Sequence, residues 1–159
     1  MDNALTTTGK AQKLAFEKAR TVSSDNPGKL GIGSDQILVH QDTILQKAVN
    51  KKQAIEKLKS LSGDWHELVS AVSVVWEGRE LWSAVERARL HMADLDDAVL
   101  KSYADKAGEA LTRSVGAYEI ESLGASLFDK INGDYFTILG MPLLPLLNYL
   151  RTRHSIRPF

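Results

Sequence analysis

Residues 65–76, "WHELVSAVSVVW", and 80–92, "ELWSAVERARLHM", flank the short segment "EGR". Two β-rich runs on either side of a glycine-containing turn predict a long antiparallel hairpin. In its second arm, period-two geometry puts Trp82, Ala84, Ala88, Leu90 and Met92 on one face. Ser83, Arg87, Arg89 and His91 fall on the other.

Working outward toward the amino terminus, "KLGIGSDQILVH" combines β-branched residues with two glycines and predicts a strand interrupted near Gly33 that carries an acid. "HQDT" turns the chain and "ILQKA" predicts a short return strand. A helix follows, capped by Asn50, built on Ala54, Ile55, Leu58 and Leu61, and ended by "LSG". Before the first strand, Ala11, Leu14, Ala15, Ala19 and Val22 recur at helical spacing from Gly9 to about Ser23, with Thr7 or Thr8 as N-cap. Beyond the hairpin, Asp94 and Asp97 open a helix that runs to about Ala107 and stops at Gly108. "SVGAYEI" and "GASLFDKI" predict a short strand pair, and a last helix begins near Pro142. Helices and strands alternate around an antiparallel hairpin, which predicts an α/β fold with a mixed sheet in a single domain, residues 1–159.

Composition narrows the chemistry. The chain has 159 residues, 43% hydrophobic and 25% charged, with 20 basic and 20 acidic side chains cancelling to zero net charge. Such a chain buries a sizeable core and is not globally disordered. Charge neutrality argues against a general nucleic-acid binder, because that affinity comes from many cations neutralising phosphates. The absence of cysteine excludes disulfides, thiolate nucleophiles and cysteine-ligated metals. No signal-peptide core or membrane-length apolar stretch occurs, so a cytoplasmic protein without membrane contact is expected. P-loop, dinucleotide and nucleophile-elbow patterns are absent. The four histidines, His40, His66, His91 and His154, lack zinc-site spacing and read as structural or surface residues. Trp65, Trp76 and Trp82 read as core or as an apolar contact surface. The arginines of the basic tail, Arg151, Arg153 and Arg157, read as solvated.

The most informative residue is Asp35. An ionised carboxylate in an apolar strand needs a cation, a metal or exposure at a strand end. Gly31 and Gly33 let a ligand or another backbone approach closely. Lys18 on the first helix and Lys47 after the return strand are positioned to converge on the same end of the sheet. A carboxylate with two lysines suits phosphoanhydride cleavage. Asp35 as a strand-end cap and the lysines as solvated surface charges are the alternative reading.

Several segments taken in order resemble the Maf family, nucleoside triphosphate pyrophosphatases that share a fold with the inosine triphosphatase superfamily. "LAFEKAR" is similar to the family's helix with an E-K-A element, "GIGSDQILV" to its G-[AS]-D-[TQ] strand, and "ILQKA" to its x-x-K-P step. "AIEKLKSLSGDWHELVSAVSVV" resembles its helix, L-S-G stop and following strand. The most specific match is "SVGAYEIESLGASLFDKINGDYFTILGMPLLPLL", where glycines, aromatics and proline fall in register. The resemblance implies a twisted mixed sheet flanked by helices. It implies Asp35 as the catalytic carboxylate that activates water or holds a divalent metal, magnesium or manganese, and Lys18 and Lys47 as triphosphate ligands. Gln36 and Glu121 occupy the positions that separate substrates in the family. Their identities resemble the branch acting on 7-methyl-GTP rather than the one preferring dTTP and UTP. A carboxylate at Glu121 suits guanine, whose N1–H and amino group both donate. The resemblance also implies a nucleoside triphosphate as the partner and a homodimer.

Two departures stand beside these matches. The family's opening strand and Ser/Arg-rich loop have no counterpart in "MDNALTTTGK", and Ala48 stands where the family has proline. The expectation is therefore a pyrophosphatase fold lacking its first strand. The rival expectations are a catalytically impaired remnant that binds nucleotide or works through protein partners, and a purely structural domain.

Overall fold

The computed structural model describes residues 6–157. The stretch read for a signal segment and for arginines begins in residues 1–5, and the basic tail ends at 158–159; those residues lie outside the described ones. The elements are α1 (Thr7–Asp25), β1 (Gly31–His40), β2 (Thr43–Leu45), α2 (Lys51–Leu61), β3 (Trp65–Trp76), β4 (Arg79–Met92), α3 (Asp97–Ala107), α4 (Ala110–Arg113), β5 (Phe128–Asn132), α5 (Tyr135–Leu139) and α6 (Leu143–Arg153). No helix among the described residues is long and apolar enough to cross a membrane.

The strands form one sheet in the order β2-β1-β3-β4-β5. β2 runs antiparallel to β1, with Leu38 opposite Leu45, and β5 runs antiparallel to β4, with Leu90 opposite Ile131. β1 and β3 also run in opposite senses: Gln36 meets Ser70, whereas His40, further along β1, meets Asp64 just before β3. The fold is α/β, as the sequence indicates, but the neighbouring strands are antiparallel where alternation of elements predicts a mixed sheet. The reason lies in the connections. β1–β2 and β3–β4 are joined by two-residue turns whose central residues, Gln41-Asp42 and Glu77-Gly78, all have positive φ, the geometry that closes a tight hairpin. The helical connection α2 links β2 to β3, which are not neighbours.

Local differences from expectation have local causes. The α1 cap is Thr6, not Thr7 or Thr8, because its hydroxyl accepts from the Gly9 N–H at 3.1 Å. The α3 cap is Asp96, not Asp94, because its carboxylate accepts from the Val99 N–H at 2.8 Å. "SVGAYEI" is not a strand. Ala117 is fully buried with φ of 64°, and the Tyr118 ring folds so close over Gly116 that a Cβ there would stand 2.3 Å from it. Only the second half of the expected pair, β5, is extended, preceded by a 3-10 turn over Leu123–Leu127. The short helices α4 and α5 carry too little periodicity to be foreseen.

The chain folds as two compact units. The first comprises residues to Gln36, Val69–Arg87, and residues from Tyr135 on. Here α6 buries Leu146 and Leu150 against Val72 and Val74 of β3, with Trp82 stacked on Tyr149 at 4.7 Å. The second comprises Ile37–Leu68 and Ala88–Asp134. Its buried residues include Leu58 and Leu61 of α2, Leu90 and Met92 of β4, and Leu100 of α3. Lys51–Asp105 and Lys59–Asp97 ion pairs join α2 to α3.

Candidate active site

The site begins with small residues. α1 turns a face of Ala11, Ala15 and Ala19, all fully buried, toward the sheet. At Gly33 an added Cβ would stand 2.4 Å from the Ala19 nitrogen and 2.5 Å from the Ala15 oxygen, and at Gly31 2.3 Å from the Ala19 oxygen. The two glycines thus admit another backbone, that of α1, which is one of the two roles open to them in the sequence.

That close approach places Lys18 over the strand. Its ammonium donates to Asp35 Oδ1 at 2.7 Å and to the Ser34 carbonyl at 3.2 Å. The Asp35 side chain is 16% exposed, whereas Lys18 is 59% exposed. The carboxylate is therefore held by its strand, while the cation sits on a flexible stem reaching in from solvent. Among the openings available to an acid in an apolar strand, Asp35 has taken a cationic partner.

Gln36, the next residue, faces the other side of β1, as strand alternation requires. Its Nε2 donates to Ser70 Oγ at 3.1 Å, to the Thr137 carbonyl at 3.1 Å and to the Ile138 carbonyl at 2.9 Å. The Ser70 hydroxyl donates to the Thr137 carbonyl at 2.7 Å. The amide nitrogen is thus committed inside the protein, tying β1 to β3 and α5.

Lys47 and Glu121 belong to the second unit. Lys47 is exposed on the segment between β2 and α2, and Glu121 is exposed on the turn before Leu123. Lys57 of α2 anchors the first of these segments and the stretch that leads to the second: its ammonium donates to the Gln46 carbonyl and, at 2.8 Å, to the Val115 carbonyl. Burial pulls the Lys57 ammonium below the usual lysine range. Near Glu121, Glu119 is gripped by Arg113 at 2.7 Å. That contact, with lesser help from Glu109 and Glu121, raises the guanidinium above its ordinary value.

Each histidine has a partner: His40 with Asp64 at 2.9 Å, His66 with the Tyr118 hydroxyl at 2.7 Å, His91 with Asp129 at 2.7 Å and His154 with the Tyr149 hydroxyl at 2.9 Å. This agrees with their structural reading. Trp82 packs on the first unit's core, Trp65 lies under the Arg89 guanidinium at 4.9 Å, and Trp76 is exposed.

No group of three or more His, Cys, Asp or Glu side chains converges as a metal cluster among the described residues. Asp35 offers one carboxylate. Magnesium commonly takes one or two carboxylates and fills the rest of its shell with phosphate and water oxygens, so the donor set fits a metal that arrives on a triphosphate and not one held by protein alone.

A family model described as Maf-like protein matches residues 2–153. The chain belongs to the Maf-like family. A nucleoside triphosphate pyrophosphatase of Nitrobacter winogradskyi is 48% identical over 152 residues, 95% of this chain and 75% of that protein. Proteins of the same name from Bradyrhizobium diazoefficiens and Caulobacter vibrioides are 47% and 49% identical, over 90% and 92% of this chain and 71% and 73% of theirs.

Within this Maf-like fold, Lys18, Asp35 and Gln36 come together on α1 and β1. The anchoring residues Ser70, Thr137 and Lys57 escape a reading of the sequence. The one signal for Ser70 is that it is one of two hydroxyls, with Ser73, inside the apolar run "LVSAVSVV", since a fully buried hydroxyl needs a partner.

Proposed function

We propose that this chain hydrolyses a nucleoside triphosphate to the monophosphate and pyrophosphate, with 7-methyl-GTP as the preferred substrate. The observation that carries the reading is the Lys18–Asp35 pair, a partly buried carboxylate beside a solvent-exposed ammonium, in a chain of the Maf-like family. Asp35 accepts a hydrogen bond from a water and aims it at the α-phosphorus. The P–O bond to the bridging oxygen breaks, pyrophosphate leaves with that oxygen, and the water's oxygen stays on the nucleoside monophosphate. The displaced proton passes to solvent. Lys18 leaves Asp35 for the phosphates, where a cation offsets the charge that grows on the departing group. The family resemblance assigns Lys47 to the phosphates and Glu121 to the guanine N1–H and amino group. A magnesium or manganese ion held by Asp35 and the phosphates would add Lewis-acid polarisation of the reacting phosphoryl group. The role is clearance of modified nucleotides from the cytoplasmic pool.

The test is pyrophosphate release with magnesium from 7-methyl-GTP, GTP, dTTP and UTP, beside Asp35→Asn. Hydrolysis led by 7-methyl-GTP and a loss of roughly a hundredfold or more in the variant are expected. Preference for dTTP or UTP would overturn the base assignment. Nucleotide binding without turnover would make the chain an impaired relative.

A further inference from the structure

Asp35 and Gln36 are adjacent on β1 and point to opposite faces of the sheet. On one face Asp35 and the Ser34 carbonyl are held by Lys18 of α1. On the other, the Gln36 amide is held by a hydroxyl of β3 and two carbonyls of α5. The acceptors behind the strand are well shielded: Ser70 and Thr137 are fully buried and Ile138 is 6% exposed. Because Ser70 also donates to the Thr137 carbonyl, the group forms a closed network rather than a single contact. Two amide hydrogens shared among three acceptors leave Gln36 little freedom to move without losing a bond in a dry setting, where each unmet polar group is costly.

We propose that Gln36 is a positioning residue that fixes the β1 backbone at Asp35 from behind, so that the carboxylate stays placed when Lys18 moves away. The proposal rests on the reading of Asp35 given above. It assigns to Gln36 a task other than touching the base, since its amide nitrogen is already committed to the protein. The device answers a specific need. Once the ammonium transfers to phosphate, the front contact of Asp35 is gone, and the attacking water is aimed only as well as the strand is held. Displacements of about 1 Å at such a point cost on the order of a hundredfold in rate.

Two variants separate the possibilities. Gln36→Met keeps the chain length and removes both donors. Ser70→Ala removes one acceptor and the second donor to Thr137 while leaving both carbonyls to Gln36, a milder change that keeps the test usable if Gln36→Met folds poorly. Each is compared with the unaltered protein by amide hydrogen exchange and by steady-state hydrolysis of 7-methyl-GTP, GTP and UTP. Positioning predicts faster exchange at Asp35–Ile37 and Thr137–Gly140, with Val72 and Val74 unchanged. It also predicts kcat lowered about ten- to a hundredfold in Gln36→Met, less in Ser70→Ala, by the same factor for every base and with KM little altered. A change in KM that differs from base to base at constant kcat would mean that Gln36 reads the base, and overturns the proposal. Lower thermal stability with kcat preserved would reduce the network to simple packing, and also overturns it. If the unaltered protein hydrolyses none of the nucleotides, the pyrophosphatase reading fails on its own. Exchange then decides whether Gln36 holds β1, with unchanged protection refuting it.

Discussion

At Gly33 a single hydrogen decides whether the site exists. Replacing it by a methyl would drive a carbon to 2.4 Å from a backbone nitrogen of α1, and backbone cannot step aside as a flexible side chain can. Gly33→Ala is expected to destabilise the fold by about 1–3 kcal/mol or more, read as a lower midpoint in urea unfolding, and to lengthen the Lys18–Asp35 contact. The pair itself is worth less than its 2.7 Å distance suggests. With Lys18 more than half exposed, solvent screens the attraction, and a double-mutant cycle with Lys18→Met and Asp35→Asn should give a coupling of about 0.5–1 kcal/mol in stability. A much larger coupling would indicate a tighter, functionally locked bridge that resists transfer of Lys18 to phosphate. Asp35 stands out in the sequence as the one charged residue in the strand segment "GIGSDQILV". Its partner does not, since Lys18 looks like any solvated helix lysine until glycine–alanine packing brings α1 down on the strand.

Caps and anchors operate at the level of elements. Asp96 holds the first turn of α3 through the Val99 N–H, and Asp96→Ala should cost about 1 kcal/mol, measured by chemical unfolding. Lys57 ties two otherwise irregular segments to α2, the one carrying Lys47 and the one leading to Glu121. Removing its donors with Lys57→Met leaves two backbone carbonyls unmet. The expected result is faster exchange in residues 46–50 and 114–121, with KM raised several-fold and kcat retained. Both elements illustrate a limit of periodicity. α2 and its Asn50 cap follow directly from spacing, whereas the tie from Lys57 to Val115 spans 58 positions that no local pattern connects. β5 shows another kind of device. As an edge strand it carries Lys130 and an irregular register beside His91 and Met92, features that discourage pairing with a further strand.

For the whole molecule the clearest expectation concerns acid. His66 is 3% exposed, and burial pushes its ring down to about 4 from an ordinary 6.5. The fold therefore prefers the neutral ring, while the unfolded chain takes up a proton near 6.5. Stability from this group is fully present above 6.5, falls as pH drops toward 4 and levels off below, a loss on the order of 3 kcal/mol. Asp64, held down to about 2 first by its hydrogen bond with His40, adds a second loss between 3.8 and 2. Urea unfolding from pH 7 to pH 3 should show the first decline, and His66→Gln should flatten it; an unchanged slope would place the acid sensitivity elsewhere. Much of this protein was legible in advance. The hairpin, the principal helices, Asp35 and the Maf-like resemblance all follow from patterns within a few residues or from motifs in order along the chain. Local pattern alone was enough to show a carboxylate in a largely apolar strand just after two glycines. Only the tertiary structure decided that the glycines serve α1, that Lys18 answers Asp35, and that Gln36 turns its amide inward, because those contacts join distant residues through the geometry of packed backbones.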